Sequence, residues 1–285
     1  MNVEPAIAGV RAWRRGVADV GLVPTMGALH EGHLALVQRA RAECSHVAAS
    51  IFVNPTQFGP SEDLDRYPRP LERDLELLRE EGVDLVFLPS VEEIYPPGSD
   101  TAVVPGALSR RLEGRTRPGH FRGVATVVTK LLNVVCPDRA YFGEKDGQQL
   151  RVVQALVRDL FLPVTIVPVP TVREADGLAL SSRNVYLSPE GRRAATVLWR
   201  ALQSAEASWE SGERRCRQLR DRMRAVIDAE PLATADYVSV ADPSTLRELP
   251  WARGDAFASL AVRIEGVHLI DNVLLTMNPG ARSMA

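Results

Sequence analysis

Two histidines, His30 and His33, lie in a glycine-flanked segment whose residue types suit phosphate chemistry. The segment reads Val-Pro-Thr-Met-Gly-Ala-Leu-His-Glu-Gly-His over residues 23–33 and holds two of the five histidines. Apolar residues 20–23 predict a buried strand before it, and the apolar spacing in residues 34–44 predicts a helix after it. Glycine lets main-chain N–H groups approach a ligand closely, and a helix N-terminus favours an anion. Two imidazoles at this boundary can donate hydrogen bonds to phosphate oxygens, as nucleotidyl transfer requires.

The common metal and phosphate motifs do not account for this segment. A single histidine is more often an ordinary surface or core residue, but two histidines in one such loop favour a site. Zinc is the weaker alternative, because His-Glu-Gly-His is not the His-Glu-x-x-His spacing that places ligands at i and i+4 on a helix. The segment also lacks G-x-G-x-x-G and G-x-x-x-x-G-K-[ST], which excludes a dinucleotide fingerprint and a P-loop.

The composition indicates an ordinary globular protein with room for two domains. The chain has 285 residues, 45% of them hydrophobic and 25% charged. A formal net charge of -2 gives no electrostatic reason to expect nucleic acid or an anionic membrane as partner. No run approaches the ~18 apolar residues of a spanning helix, and residues 1–10 do not resemble a signal peptide, so we expect a cytoplasmic protein. Cys44, Cys136 and Cys216 are odd in number and far apart, which favours reduced thiols.

Lysine is rare in this chain, which draws attention to its positions. Of the 34 lysine and arginine residues, only Lys130 and Lys145 are lysine. Lys130 lies in an apolar, helix-like stretch, where a long side chain reaching the surface is the simplest interpretation. Lys145 lies in the Gly-Glu-Lys-Asp loop at residues 143–146, where a compact charge with three donors is not equivalent to a planar guanidinium.

Apolar runs and amphipathic stretches alternate through the first part of the chain. They predict strands at 20–23, 47–53, 83–88, 139–142 and 164–169, and helices at 34–44, 71–81, 124–136 and 148–160. This alternation predicts a parallel sheet with helices on both faces. Ligands bind such sheets beyond the carboxyl ends of the strands, near the point where strand order reverses. Three loops are expected at that edge, namely 24–33, 54–59 and 143–146.

The pattern changes near residue 171, where we place a domain boundary. Residues 1–171 form the predicted α/β domain, a Rossmann-like doubly wound parallel sheet preceded by a leading helix or arm over 1–18. Residues 172–285 form a second, smaller α+β domain. Its predicted elements are helices at 190–210 and 213–229 and strands near 236–240, 256–263 and 267–273.

Two further polar segments have two interpretations each. The basic loop at residues 117–123 is most simply a solvated face, but its glycines leave open that it closes over a polyanion. The segment Ser181-Ser182-Arg183 lies just beyond the domain boundary, where it could reach back over the cleft of the first domain. A polar helix cap beside a surface arginine is equally compatible with that sequence.

Five motifs in a fixed order resemble those of the pantoate–beta-alanine ligase (pantothenate synthetase) family. They lie at residues 24–33, 54–58, 119–123, 143–146 with 148–149, and 176–184, and they span nearly the whole chain. The wider resemblance is to nucleotidyltransferases with a His-x-Gly-His element. The resemblance implies an ATP-dependent ligation in which pantoate attacks the α-phosphate, giving pantoyl adenylate and pyrophosphate. The beta-alanine amine then attacks the acyl carbon, and AMP leaves.

The resemblance also implies roles for particular residues. His33 matches the proton donor, and His30, Lys145 and Arg183 are the other implied catalytic residues. Gln57 and Gln149 match positions that hold pantoate and beta-alanine. The positions that match ATP-binding residues are Met26, Gly27, Ala28, Leu29, His30, Glu31, Gly32, His33, Gly143, Glu144, Lys145, Asp146, Val172, Leu180, Ser181, Ser182 and Arg183.

Cofactor and partners follow from the same resemblance. Mg²⁺ is implied with ATP as substrate, and acidic residues within 62–74 are candidates for its outer shell. The implied partners are the small-molecule substrates ATP, pantoate and beta-alanine, with no nucleic acid and no membrane, and the implied assembly is a homodimer. The first domain would bind nucleotide and pantoate, and the second would act as a lid. Leu180, Gly147 and His268 depart from the usual pattern, which has methionine, an aromatic residue and arginine there.

Two other functions are compatible with parts of the sequence. Another adenylyl- or cytidylyltransferase on the same fold would join a nucleotide to a phosphorylated acceptor and release no AMP. A nucleotide-sensing domain would bind ATP without further reaction, although His30, His33, Lys145 and Arg183 together favour an enzyme.

Overall fold

The computed structural model describes residues 1–60 and 62–277, and the chain divides into two compact units, Met1–Val172 and Arg173–Ala285. Residues 278–285, which belong to the predicted second domain, lie outside the described part. Among the helices of the described residues, none is long and apolar enough to cross a membrane.

The first unit is built on a six-stranded sheet in the order β1-β4-β3-β2-β5-β6, and all its strand pairs are parallel. The strands are β1 Asn2–Glu4, β2 Val20–Thr25, β3 His46–Ile51, β4 Leu85–Phe87, β5 Arg139–Gly143 and β6 Thr165–Val169. The predicted parallel α/β sheet is therefore confirmed. The leading arm is not helical throughout, because its first residues form the edge strand β1 against β4.

Helices cover both faces of this sheet because its central strands β2, β3 and β4 are buried on both sides. Val20 and Leu22 of β2 belong to one core, and Val23 of the same strand belongs to the other. The first core includes residues of α1, α6 and α7, and the second includes residues of α2 and α3. The helices are α1 Ile7–Arg15, α2 Glu31–Glu43, α3 Leu71–Glu80, α4 Val91–Ile94, α5 Glu113–Thr116, α6 His120–Val135 and α7 Gly147–Asp159.

Strand order reverses at β2, which lies between β3 and β5. The chain runs from β2 outward through β3 to β4, and then returns to place β5 on the other side of β2. Parallel strands bring their carboxyl ends to one edge, so the loops after Thr25, Ile51 and Gly143 are neighbours there. This is the edge at which the sequence predicts a ligand.

The second unit combines three helices with a three-stranded antiparallel sheet in the order β7-β8-β9, so the predicted α+β class is confirmed. One core joins the helices to the sheet. The predicted helix over 190–210 is interrupted at residues 195–196. The elements are α8 Pro189–Ala194, α9 Val197–Glu210, α10 Cys216–Asp228, β7 Ala233–Ala241, β8 Ala256–Ile264 and β9 Val267–Leu275.

Candidate functional site

The histidine pair is positioned by the start of α2. His30 is the N-cap residue, and its ring Nδ1 accepts a hydrogen bond from the amide of Gly32 at 3.1 Å. The amide of His30 in turn donates to Nδ1 of His33 at 3.3 Å. Because each Nδ1 accepts, the proton of each neutral ring resides on Nε2. The two ring centroids are 4.1 Å apart, so two N–H donors lie side by side at the helix N-terminus.

Both imidazoles are held in the neutral form. Burial lowers the pKa of His30 to about 4, and the nearby charge of Lys145 acts in the same direction. Burial also lowers the pKa of His33 to about 3, with a further contribution from His30. At neutral pH each ring therefore offers one N–H donor without bringing a formal charge into the site.

The main-chain amides between β2 and α2 differ from the sequence prediction. The Gly27 amide donates to Thr25 Oγ1 at 3.2 Å, and the amides of Ala28 and Leu29 donate to the carboxylate of Asp74, each at 2.8 Å. The expectation that these N–H groups point at a ligand is therefore wrong. Gly27 is required here because its φ is +80° and a Cβ would lie 2.9 Å from Asp74 Oδ2.

The loop after β3 orients Gln57 through the buried side chain of Asn54. Asn54 Nδ2 donates to Gln57 Oε1 at 3.1 Å, and Asn54 Oδ1 accepts from the Tyr95 hydroxyl at 2.9 Å. Gln57 Nε2 lies 3.0 Å from the sulfur of Met26, which belongs to the loop after β2. The two loops therefore meet at Gln57.

The predicted basic loop supports the Gln57 backbone. His120 Nδ1 donates to the Gln57 carbonyl at 2.9 Å, and Arg117 donates to His120 Nε2 at 3.3 Å. Arg117 also makes a two-point ion pair with Glu62, at 2.9 and 2.6 Å. Burial lowers the pKa of His120 to about 4, and Arg117 contributes to the shift. Arg117 and His120 are thus engaged within the protein, and α6 begins at His120, earlier than predicted.

The loop after β5 lies beside the histidine pair. The charges of Lys145 and Asp146 both act on the histidine pair, since Lys145 lowers the pKa of His30 and of His33 and Asp146 raises them. In the following α7, Gln148 is buried and bonded to main-chain groups of residues 108–113, whereas Gln149 is more exposed. Gln149 is therefore the better placed of the two glutamines to meet a substrate.

Gly147, which departs from the usual family pattern, accepts a hydrogen bond from a side chain of α7. Arg151 Nη1 donates to the Gly147 carbonyl at 2.7 Å, one helical turn along α7. Burial lowers the pKa of Arg151 to about 10, while Glu144 acts in the opposite direction.

The other lysine, Lys130, has a structural role. Its ammonium donates a hydrogen bond to the Ile94 carbonyl at 2.6 Å.

Residues 180–183 belong to the second unit and follow a braced turn. Arg173 makes two hydrogen bonds to Asp271, at 2.6 and 2.9 Å, and stacks on the Trp199 ring at 3.9 Å. Gly177 has a φ of +91° and lies so close to Trp199 that a Cβ would overlap the indole. Beyond this turn, the Arg183 amide donates to Ser181 Oγ at 3.3 Å.

Two of the acidic residues within 62–74, the candidates for the outer shell of Mg²⁺, are engaged within the protein. Glu62 is paired with Arg117, and Asp74 is 1% exposed with both oxygens bonded to amides. Among residues 1–60 and 62–277, no group of three or more His, Cys, Asp or Glu side chains is arranged to hold a metal ion. To a phosphate, the first unit offers the N–H donors of the histidine pair and the ammonium of Lys145.

The sequence prediction missed the residues that support the loops. Asp74 lies three residues after Leu71 and four before Leu78, on the apolar face of α3, and a carboxylate at such a position was an available signal. Asn54 and His120 were visible within their motifs, but nothing in the sequence showed that they bond to Gln57.

Comparison with known proteins identifies relatives over almost the full chain. A family model described as Pantoate-beta-alanine ligase matches residues 2–274. Pantothenate synthetases from Roseiflexus sp. (strain RS-1) and Chloroflexus aurantiacus are each 61% identical, over 96% of this chain and 99% and 98% of theirs.

Solved structures give the same result. A crystal structure of pantothenate synthetase from Thermus thermophilus has a TM-score of 0.92 and 52% identity, covering 96% of this chain and 99% of its own. Pantoate-beta-alanine ligase from Francisella tularensis, complexed with beta-gamma ATP and beta-alanine, has a TM-score of 0.81 and 35% identity, covering 98% and 99%.

Proposed function

Since the chain belongs to the pantoate–beta-alanine ligase family, we infer that it joins pantoate to beta-alanine with consumption of ATP, producing pantothenate, AMP and pyrophosphate. The observation that carries this function is the convergence of three loops at the point where strand order reverses. They bring together a pair of N–H donors, a lysine and an oriented glutamine amide. These groups suit a nucleotide beside a small hydroxy acid, as the family reaction requires.

We propose that the first unit divides the substrates between its loops. Residues 26–33 and 143–146, with Val172, are the proposed ATP-binding residues, together with 180–183 of the second unit. Gln57 and Gln149 are the proposed pantoate and beta-alanine residues, because a carboxamide both donates to a carboxylate and accepts from a hydroxyl. The position of Gln57 against Met26 supports this assignment, since it places the acid next to the nucleotide loop.

The first chemical step needs stabilisation of negative charge on the α-phosphate. A pantoate carboxylate oxygen attacks phosphorus, the bond to the pyrophosphate oxygen breaks, and pyrophosphate leaves. The Nε2–H groups of His30 and His33 and the ammonium of Lys145 are the proposed stabilising donors. Preorganised donors of this kind lower a barrier because they are already aimed before charge develops.

The second step needs no further cofactor from the protein. The uncharged beta-alanine amine attacks the acyl carbon of pantoyl adenylate, a proton is lost from nitrogen, and AMP leaves with the oxygen that came from pantoate. His33, which matches the family's proton donor, is proposed to act in the first step as a neutral Nε2–H hydrogen-bond donor to the phosphate oxygens, and Arg183 is a further proposed catalytic residue. Mg²⁺ is proposed to enter as the Mg–ATP substrate, with phosphates and water as its main ligands and with acidic residues within 62–74 as candidates for its outer shell.

We propose that the protein is a homodimer in the cytoplasm. The family resemblance supports a homodimer and a cytoplasmic location, and size-exclusion chromatography with light scattering tests the dimer directly.

Pyrophosphate release from Mg–ATP tests the function. It is measured with pantoate alone, with beta-alanine alone and with both, and AMP and pantothenate are quantified in parallel. Sustained release only with both substrates, in equal amounts with AMP and pantothenate, is the expected result. No response to pantoate in any mixture would favour another nucleotidyltransferase on this fold.

A further inference from the structure

The turn between β2 and α2 is held by a side chain that lies far along the chain. The amide of Ala28 donates to Asp74 Oδ2 and the amide of Leu29 donates to Asp74 Oδ1, each at 2.8 Å. These two amides belong to the two peptide planes that flank the Cα of Ala28. One carboxylate therefore fixes both planes, and with them the φ and ψ of Ala28.

The conformation fixed in this way is one that alanine rarely adopts. Ala28 has a φ of +51° and follows Gly27 at +80°, so two consecutive residues are left-handed. A side chain with a Cβ is strained in this region, and such a conformation persists only where the surroundings hold it. The two hydrogen bonds that the Asp74 carboxylate accepts supply that restraint.

Asp74 is itself firmly placed. It lies on α3, is 1% exposed, and is one turn from Leu78, a fully buried residue of the core shared with α2. Its carboxylate reaches the histidine pair through the backbone, by way of the amides of Ala28 and Leu29.

The geometry passes directly to the histidines. His30 follows Leu29, and its amide donates to Nδ1 of His33, which fixes the tautomer of that ring. The His30 ring in turn accepts from the Gly32 amide. A rotation of the turn at Ala28 would move the His30 peptide and break the bond that orients His33.

We propose that Asp74 is a positioning residue for adenylate formation: its carboxylate clamps the turn that aims His30 and His33 at the α-phosphate. The proposal rests on the proposed function for the identity of the reaction, but the clamp itself is a property of the turn. Asp74 thus has a role in the first step, adenylate formation, and none in the second step, the attack of the beta-alanine amine.

The test uses Asp74→Asn in the full chain, because asparagine has nearly the same shape but offers an amide group to one of the two N–H donors. Glu80→Gln, at an exposed position on the same helix, is the matched control. Pantoate-dependent exchange of pyrophosphate into ATP reports the first step. It is expected to fall about 10-fold to 100-fold in Asp74→Asn, as misplacement of catalytic groups does. Conversion of added pantoyl adenylate and beta-alanine reports the second step and is expected to stay within about 3-fold of wild type.

A second variant separates the clamp from general damage. In Asp74→Asn/Ala28→Gly, glycine adopts the left-handed conformation without strain, so exchange is expected to recover at least about 3-fold over Asp74→Asn. Exchange within about 2-fold of wild type in Asp74→Asn, equal losses in both steps, or no recovery in the double variant would each overturn the proposal.

Amide hydrogen exchange provides a readout that does not depend on the reaction. The amides of Ala28 and Leu29 are expected to be protected in wild type and in Glu80→Gln and to lose that protection in Asp74→Asn. Unprotected amides in wild type would overturn the clamp. A wild-type protein with protected amides but no pantothenate synthesis would instead refute the proposed function alone.

Discussion

Removal of the His120 ring should weaken the use of pantoate more than the use of ATP. His120 Nδ1 donates to the Gln57 carbonyl at 2.9 Å, and Arg117 is bonded to the opposite ring nitrogen. His120→Ala leaves that carbonyl with only the long 3.5 Å hydrogen bond from Arg117 Nη2, and the loss of the shorter bond costs about 1–3 kcal/mol. If the loop moves to recover this energy, kcat/KM for pantoate falls about 5-fold to 150-fold, since 1.36 kcal/mol corresponds to tenfold in rate.

Steady-state kinetics with each substrate varied in turn measure this effect. KM for ATP is expected to change less than about 3-fold, because the bonds within the histidine pair do not involve His120. His120→Asn keeps an N–H donor near the position of Nδ1 and should recover most of the loss. Arg115→Gln, an exposed change two residues before Arg117, is the control for charge. A folded His120→Ala enzyme with unchanged pantoate kinetics, or His120→Asn as damaging as His120→Ala, would refute the reasoning.

Three further outcomes are expected. The folded-state pKa values of about 3 for His33 and about 4 for His120 lie below an unfolded value of about 6.5, so the unfolded state binds more protons below pH 6.5. The free energy of unfolding should therefore fall as the pH drops from 7 towards 4, by about 2 kcal/mol per histidine at pH 5. A free energy of urea unfolding that does not change over this pH range would contradict this expectation. Asp271→Asn breaks the ion pair with Arg173, in which the aspartate side chain is 1% exposed. It should lower the free energy of unfolding, measured with urea, by about 3–5 kcal/mol. The control Arg253→Gln should lower it by less than about 0.5 kcal/mol. Lys145→Ala should lower pyrophosphate release about 100-fold to 1,000-fold without loss of stability, and a fall of less than tenfold would count against its catalytic role.

The main elements of the fold could be predicted from apolar patterning because the central strands β3 and β4 are largely apolar runs. The edge strand β1 could not, since it is three residues long and only its pairing with β4 makes it a strand. Helix starts were also predicted late. α2 begins at Glu31 and α6 at His120, because the first turn of each holds polar residues that carry capping contacts or loop contacts rather than apolar spacing.

In the site, too, the positions of the loops could be predicted from the sequence, but the contacts between their residues could not. Strand ends located the three loops, because parallel strands share one carboxyl edge. The sequence did not show that Asp74 takes the amides of Ala28 and Leu29, since that contact joins residues more than forty positions apart. It also did not show that His120 bonds to Gln57. In the sequence, a polar side chain that supports a loop cannot be distinguished from any other polar side chain, because only the folded structure shows its contact.

Transfer of an oxygen atom tests the central claim of the account most directly. Pantoate labelled with ¹⁸O in its carboxylate is converted with Mg–ATP and beta-alanine, and the products are analysed by mass spectrometry. If the carboxylate attacks the α-phosphate, AMP carries one ¹⁸O atom for each pantothenate formed, and pyrophosphate carries none. Label in inorganic phosphate with formation of ADP, or unlabelled AMP beside labelled pantothenate, would contradict activation through pantoyl adenylate.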